Sequence, residues 1–150
     1  MFSICEWGQR EPWKWAKQVG GHLWRVSGDI GDVWNREANK LGGLRGILNI
    51  LEINAPLSEY GGPSGLNDPD MLVVGIGGKS MSIGYESEGC THEQYKSHFA
   101  LWCMMASPLL CGNDVRSMND STLQVLLDRD LIAINQDVLG KQAERSNRAD

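Results

Sequence analysis

The sequence runs to 150 residues, 41% apolar and 22% charged, with a net charge of −5. That is the composition of a globular domain long enough to bury a core, not of a disordered tail. It holds no basic cluster for a phosphate backbone and no apolar run near the roughly 20 residues that cross a bilayer, so neither nucleic acid nor a membrane is an expected partner.

In chain order, Phe2–Cys5 reads as a short strand ending at Glu6-Trp7-Gly8, with neither the basic nor the long apolar segment of a signal peptide. Pro12 suits a first helical position, Trp15, Ala16 and Val19 give that helix an apolar side, and Gly20-Gly21 ends it. His22 to Val26 is a second strand whose short apolar run ends in Arg25, followed by Gly28-Asp29 and Gly31-Asp32. From Asp32 a long helical region is expected, broken at Gly42-Gly43 and resumed through Leu44, Ile47, Leu48 and Leu51. Residues 54–66 form a loop that delivers Asn67-Asp68-Pro69-Asp70 to a third apolar run beginning at Met71-Leu72, and 75–89 form a second, glycine-rich loop. Thr91 and Gln94 have capping-box spacing, opening a helix with Tyr95, His98, Phe99, Trp102, Met105 and Ala106 on one face. Ser107-Pro108 breaks it, Leu109–Cys111 is a fourth strand, and short helices follow near Ser121–Leu127 and from Asp130, ahead of a polar, uninformative tail from Lys141.

The order is therefore β-α-β-α-β-α-β-α, which implies a parallel sheet with right-handed crossovers. No dinucleotide-binding glycine pattern follows a strand. Four such units are half of an eightfold barrel, although striped helices suit an open sheet equally well. Four cysteines without paired spacing (Cys5, Cys90, Cys103, Cys111) read as buried free thiols rather than a zinc site or disulfide framework.

Acidic residues gather where the strands end: Glu6, then Asp29 and Asp32, then Asp114, with Asp68 and Asp70 ahead of the third run. Loops at strand carboxyl ends are where α/β proteins place ligands. A capping role competes for each Asp, and Asp32 and Asp114 read better as caps or loop-ordering residues. His22 and His98 read as packed or capping histidines. No Ser-His-Asp elbow and no metal-type histidine spacing occur, so no metal or cofactor is expected and carboxylates lead. Carboxylates with tryptophans at loop ends suit glycosidic chemistry: one acid protonates the leaving oxygen while others bind hydroxyls. A divalent cation is the weaker alternative, without EF-hand spacing.

Several stretches in the same order resemble glycoside hydrolase family 27, the α-galactosidases and α-N-acetylgalactosaminidases. They are Cys5-Glu6-Trp7-Gly8, Trp24-Arg25 with Gly28-Asp29-Ile30, Asn67-Asp68-Pro69-Asp70-Met71-Leu72, His98 to Trp102 with Ser107 to Leu110, and Ile132 to Gly140. The resemblance covers about residues 3–142. It implies a (β/α)₈ barrel of the TIM type, with this chain supplying about four βα units as strands five to eight over residues 1–142. Residues 143–150 would begin a linker to a C-terminal β domain. By the same resemblance Asp29 is the catalytic acid/base, Arg25 and Asp70 bind galactose, Glu6 faces its 2-position, Met71 packs under the ring, and Trp7 and Gln9 are weaker pocket candidates. A carboxylate at Glu6 resembles the galactosidases, since it would crowd an acetamido group.

Two departures stand out. The family's nucleophile lies in a Tyr-x-Lys-x-Asp type motif on its fourth strand, and its N-terminal aspartate pair and tryptophan grip the far side of the sugar. None of these occurs here. The resemblance therefore implies a piece of a retaining hydrolase acting on terminal α-linked galactose, needing an N-terminal half-barrel or a second chain to close the fold. The alternatives are a silent half-barrel serving as a sugar-binding or assembly module, or a sister specificity such as α-N-acetylgalactosaminide or β-L-arabinopyranoside. Gly21 stands where animal members carry the partner of Cys5, so Cys5 is expected to be free. The resemblance implies a secreted, periplasmic or lysosomal/vacuolar location.

Overall fold

The structure, a computed structural model, describes residues 1–38, 44–79 and 87–146. Three short strands, β1 (Ser3–Ile4), β2 (Leu23–Arg25) and β3 (Leu66–Asp68), form a parallel sheet in sequence order. Leu23 lies between Ser3 and Leu66, Trp24 between Ile4 and Asn67, and Arg25 beside Asp68. Parallel neighbours joined by long crossovers are what the alternating order predicts.

The third strand lies earlier than the apolar run suggests. Asp68 belongs to β3, and of the run from Met71 only Leu72 pairs, as a single parallel bridge to Cys111. Pro69 has no N–H to give a ladder, and Asp70, at φ 87°, turns the chain out of the extended region. The expected fourth strand is reduced to that bridge, with Leu72 N–H on the Leu110 carbonyl at 2.8 Å and Gly112 N–H on the Leu72 carbonyl at 2.9 Å.

The helix expected from Pro12 is two 3₁₀ turns, Pro12–Lys14 and Ala16–Val19, because Trp15 at φ −132° interrupts it. Gly20 ends the second turn at φ 83°, as glycine at that position should. Val19 faces solvent rather than the apolar side. The long helix expected from Asp32 also differs. Residues 32–38 are not helical, and the break at Gly42-Gly43 lies outside the described residues. Helix α1 (Ile47–Asn54) starts later, and the carbonyls of Val33 and Trp34 accept its first N–H groups, from Ile47 and Leu48, at 3.0 Å each.

Helix α2 (His92–Met104) carries the capping box in full. The Thr91 hydroxyl accepts from Gln94 N–H, and the Gln94 side chain accepts from Thr91 N–H. His98, Phe99, Trp102 and Cys103 are its buried face. Helices α3 (Asp120–Leu126) and α4 (Arg129–Asn135) fall within a residue or so of expectation, capped by Asn119 and Asp128.

The main core gathers Ile30, Ile47, Ile50, Leu72, Val73, Val74, Phe99 and Trp102, and a second cluster of Ile4, Ala16, Trp24, Val26 and Leu57 lines the sheet. Gln142 closes a buried amide group. Its Oε1 accepts from the amides of Asn54 at 3.2 Å and Asn67 at 3.3 Å, while Trp24 donates to Asn67 Oδ1 at 2.9 Å. The tail read as uninformative thus supplies a packed residue. Of the cysteines only Cys103 is buried, Cys5 and Cys111 are exposed, and all four are free. No helix among the described residues is long and apolar enough to cross a membrane.

Candidate active site

Strand β2 ends in a side chain that must find partners, because Arg25 is only 9% exposed. Its Nη2 meets Asp70 Oδ2 at 2.7 Å and Asp29 Oδ1 at 3.1 Å, and donates to the Ser27 carbonyl at 3.3 Å. A guanidinium presents several donors in one plane, so a single Arg can draw two carboxylates from separate loops together. Asp70 is held tightly. Its Oδ2 also accepts Ile30 N–H at 2.8 Å, and its Oδ1 accepts its neighbour Met71 N–H at 2.7 Å. Asp29 is looser, with 48% of its side chain exposed. One acid is therefore fixed and the other is free to meet a ligand.

Burial pushes the Asp70 carboxyl above the usual carboxylate range, and Arg25 with the two backbone N–H groups pulls it part of the way back. Burial likewise raises Asp68, against the Asp70 N–H and Arg25. Asp68 Oδ1 accepts that Asp70 N–H at 2.9 Å.

Asp29, Asp70 and Met71 line one cavity of about 660 Å³, together with Asp32, Lys79, Asn113 and Asp114. Gly112 lies close beneath Met71, where a Cβ would sit 2.5 Å from its sulfur. Glu6 and Trp7 stand one loop away and do not line this cavity. Glu6 accepts from Arg10 Nε at 2.8 Å, and Trp7 is half-exposed. Their loop is tied to β2 by Gly8 N–H on the Arg25 carbonyl at 3.0 Å. Only glycine fits there: φ is 75°, and a Cβ would come 2.2 Å from the Val26 carbonyl oxygen. Gln9 follows in the same loop and is exposed.

Asp32 orders a loop. Its carboxylate accepts Gly78 N–H at 2.7 Å, Cys90 N–H at 3.1 Å and the Tyr95 hydroxyl at 2.6 Å. Burial next to that carboxylate raises the Tyr95 hydroxyl, and burial with the Asp32 charge pushes the Cys90 thiol up to about 12. Asp114 caps the turn at 115–117 through Arg116 N–H. His98 is fully buried, with Nε2 accepting Val73 N–H at 3.1 Å, and burial holds its pKa down to about 3. His22 accepts Phe2 N–H. Among the described residues no group of three or more His, Cys, Asp or Glu side chains is placed to hold a metal.

The family model described as alpha galactosidase A matches residues 3–137. The chain belongs to that family. It is similar to alpha-galactosidase A of Cellvibrio japonicus, 47% identical over 95% of this chain and 32% of that protein. Among solved structures, a candidate alpha-galactosidase from Bacteroides fragilis is 81% identical with TM-score 0.92, covering 100% of this chain and 31% of its own. The alpha-galactosidase of Saccharomyces cerevisiae with raffinose is 32% identical with TM-score 0.82, covering 95% and 32%. The chain thus spans about a third of the length of the family members it matches.

One contributor to the site, Trp102, escapes a reading of the sequence, and another, Asp68, is named by it but placed in a loop, because Pro69 hides the strand it belongs to. Trp102 looks like core, yet its indole Nε1 donates to the Asp70 carbonyl at 2.8 Å. The available signal was general: a buried indole N–H needs an acceptor.

Proposed function

We propose that this chain is part of a retaining glycoside hydrolase that releases terminal α-linked galactose, its four βα units closing with others into a (β/α)₈ barrel. The reading is carried by one observation: Arg25 binds a partly open Asp29 and a fixed Asp70 at a shared cavity. The relatives' names, alpha-galactosidases throughout those given above, support the substrate class. In this reading Arg25 and Asp70 hold sugar hydroxyls, Met71 lies under the ring, Glu6 accepts from the 2-hydroxyl, and Trp7 flanks the pocket.

Asp29 works in both halves of the reaction. Protonated, it gives its proton to the glycosidic oxygen as the bond to the anomeric carbon breaks, while a carboxylate nucleophile about 5 Å away bonds that carbon. It then takes a proton from the water that displaces the nucleophile. The nucleophile comes from outside these 150 residues, which hold no Tyr-x-Lys-x-Asp motif.

In the complete protein, Asp29→Asn should cut kcat by about 10²–10⁴ for a substrate whose leaving group is another sugar. A leaving group that departs without a proton, such as a dinitrophenol, should suffer far less in bond cleavage. Equal, near-native rates on both substrates would remove Asp29 from the role.

A further inference from the structure

Asp70 adopts φ 87°, a left-handed torsion that side chains rarely take. Two backbone bonds bracket it. On one side its N–H donates to Asp68 Oδ1 at 2.9 Å; on the other its carbonyl accepts from Trp102 Nε1 at 2.8 Å. Between them the carboxylate faces Arg25 at 2.7 Å and accepts the N–H groups of Ile30 and Met71. Trp102 is fully buried in the main core on α2, with the His98 ring packed against its own at 4.1 Å. His98 accepts the Val73 N–H, so one helix grips the Asp70–Val73 segment at both ends. Volume alone would be met by another large apolar side chain. What the indole adds is a donor aimed at the carbonyl of the one residue in this segment with a left-handed torsion.

We propose that Trp102 is a positioning residue for the galactoside site: it holds the Asp70 carbonyl so that the carboxylate stays turned onto Arg25. The inference rests on the reading of Asp70 and Arg25 as sugar-binding residues. Trp102 itself touches no substrate.

The test uses the complete protein with Trp102→Phe, and with Trp102 replaced by benzothienylalanine, which keeps the bicyclic shape and puts sulfur in place of N–H. Three quantities are read: amide hydrogen exchange at Ile30 and Met71, affinity for free galactose, and the unfolding midpoint. Losing one buried hydrogen bond should speed exchange at Ile30 and Met71 roughly ten-fold. Amides of the β1–β2 pairing should be unchanged, and galactose should bind correspondingly more weakly in both variants. The sulfur analogue covers the case in which Phe merely loosens the core. Unchanged exchange at Ile30 and Met71 in that analogue overturns the positioning role. Faster exchange with unaltered galactose affinity overturns instead the sugar-binding reading on which it rests, so the two failures are distinguishable.

Discussion

Asp68 and Asp70 are acids placed where their charge is costly, and pH should expose that cost. Burial raises the Asp68 carboxyl more than the Asp70 N–H and Arg25 lower it. A carboxyl raised in the folded state binds extra protons there, so its stabilising balance worsens as pH climbs from the unfolded pKa through the folded one, and the penalty stays in full above both. Asp68→Asn keeps an oxygen for the Asp70 N–H and removes the charge. Its stability relative to the native protein, from urea titration, should therefore improve as pH climbs through and above the ordinary carboxylate range. A relative stability that declines over that interval would mean that Arg25, not burial, governs Asp68. At this scale the sequence is informative about residues whose neighbours are local: Arg25, Asp29 and Asp70 stand beside short apolar runs and can be picked out. It is silent on Arg25 joining two acids 4 and 45 positions away, because no local pattern encodes that meeting.

The helix α2 does more for the site than its composition suggests. Along one side it presents Tyr95 to Asp32, His98 to Val73 N–H and Trp102 to the Asp70 carbonyl. Its start is fixed by the reciprocal Thr91–Gln94 pair. Thr91→Ala should cost about 1 kcal/mol, seen as a lower urea midpoint with unchanged slope, and Thr91→Ser should restore most of it. An unchanged midpoint for Thr91→Ala would mean that tertiary packing alone starts the helix. This element was legible because a cap and an apolar stripe are properties of adjacent residues. The strands were harder to place. Two or three residues are too few to show a period, and the ladder is cut by Pro69 and by the turn at Asp70. The segment after Asp32 misled for a related reason: its acid serves distant N–H groups at Gly78 and Cys90 instead of capping a helix.

At the scale of the whole molecule, the described residues form a three-stranded parallel sheet with three isolated bridges outside it, in a chain about a third the length of its relatives. In the proposed mechanism the acid/base and the nucleophile belong to different parts of the parent protein. A purified, mass-verified 150-residue chain should then show no turnover of an aryl α-galactoside, and adding the proposed N-terminal half-barrel in trans should restore it. Turnover by the chain alone would place a nucleophile among these residues. The amide group around Gln142 carries a consequence for how the protein is made. Asn67 donates to a partner 75 positions later in the chain, and Asn54 to the same one 88 positions later. At typical elongation rates of roughly 5–20 residues per second, Asn67 is synthesised about 4–15 s before Gln142 exists. For those seconds the amides of Asn54 and Asn67 lack the acceptor that Gln142 later supplies.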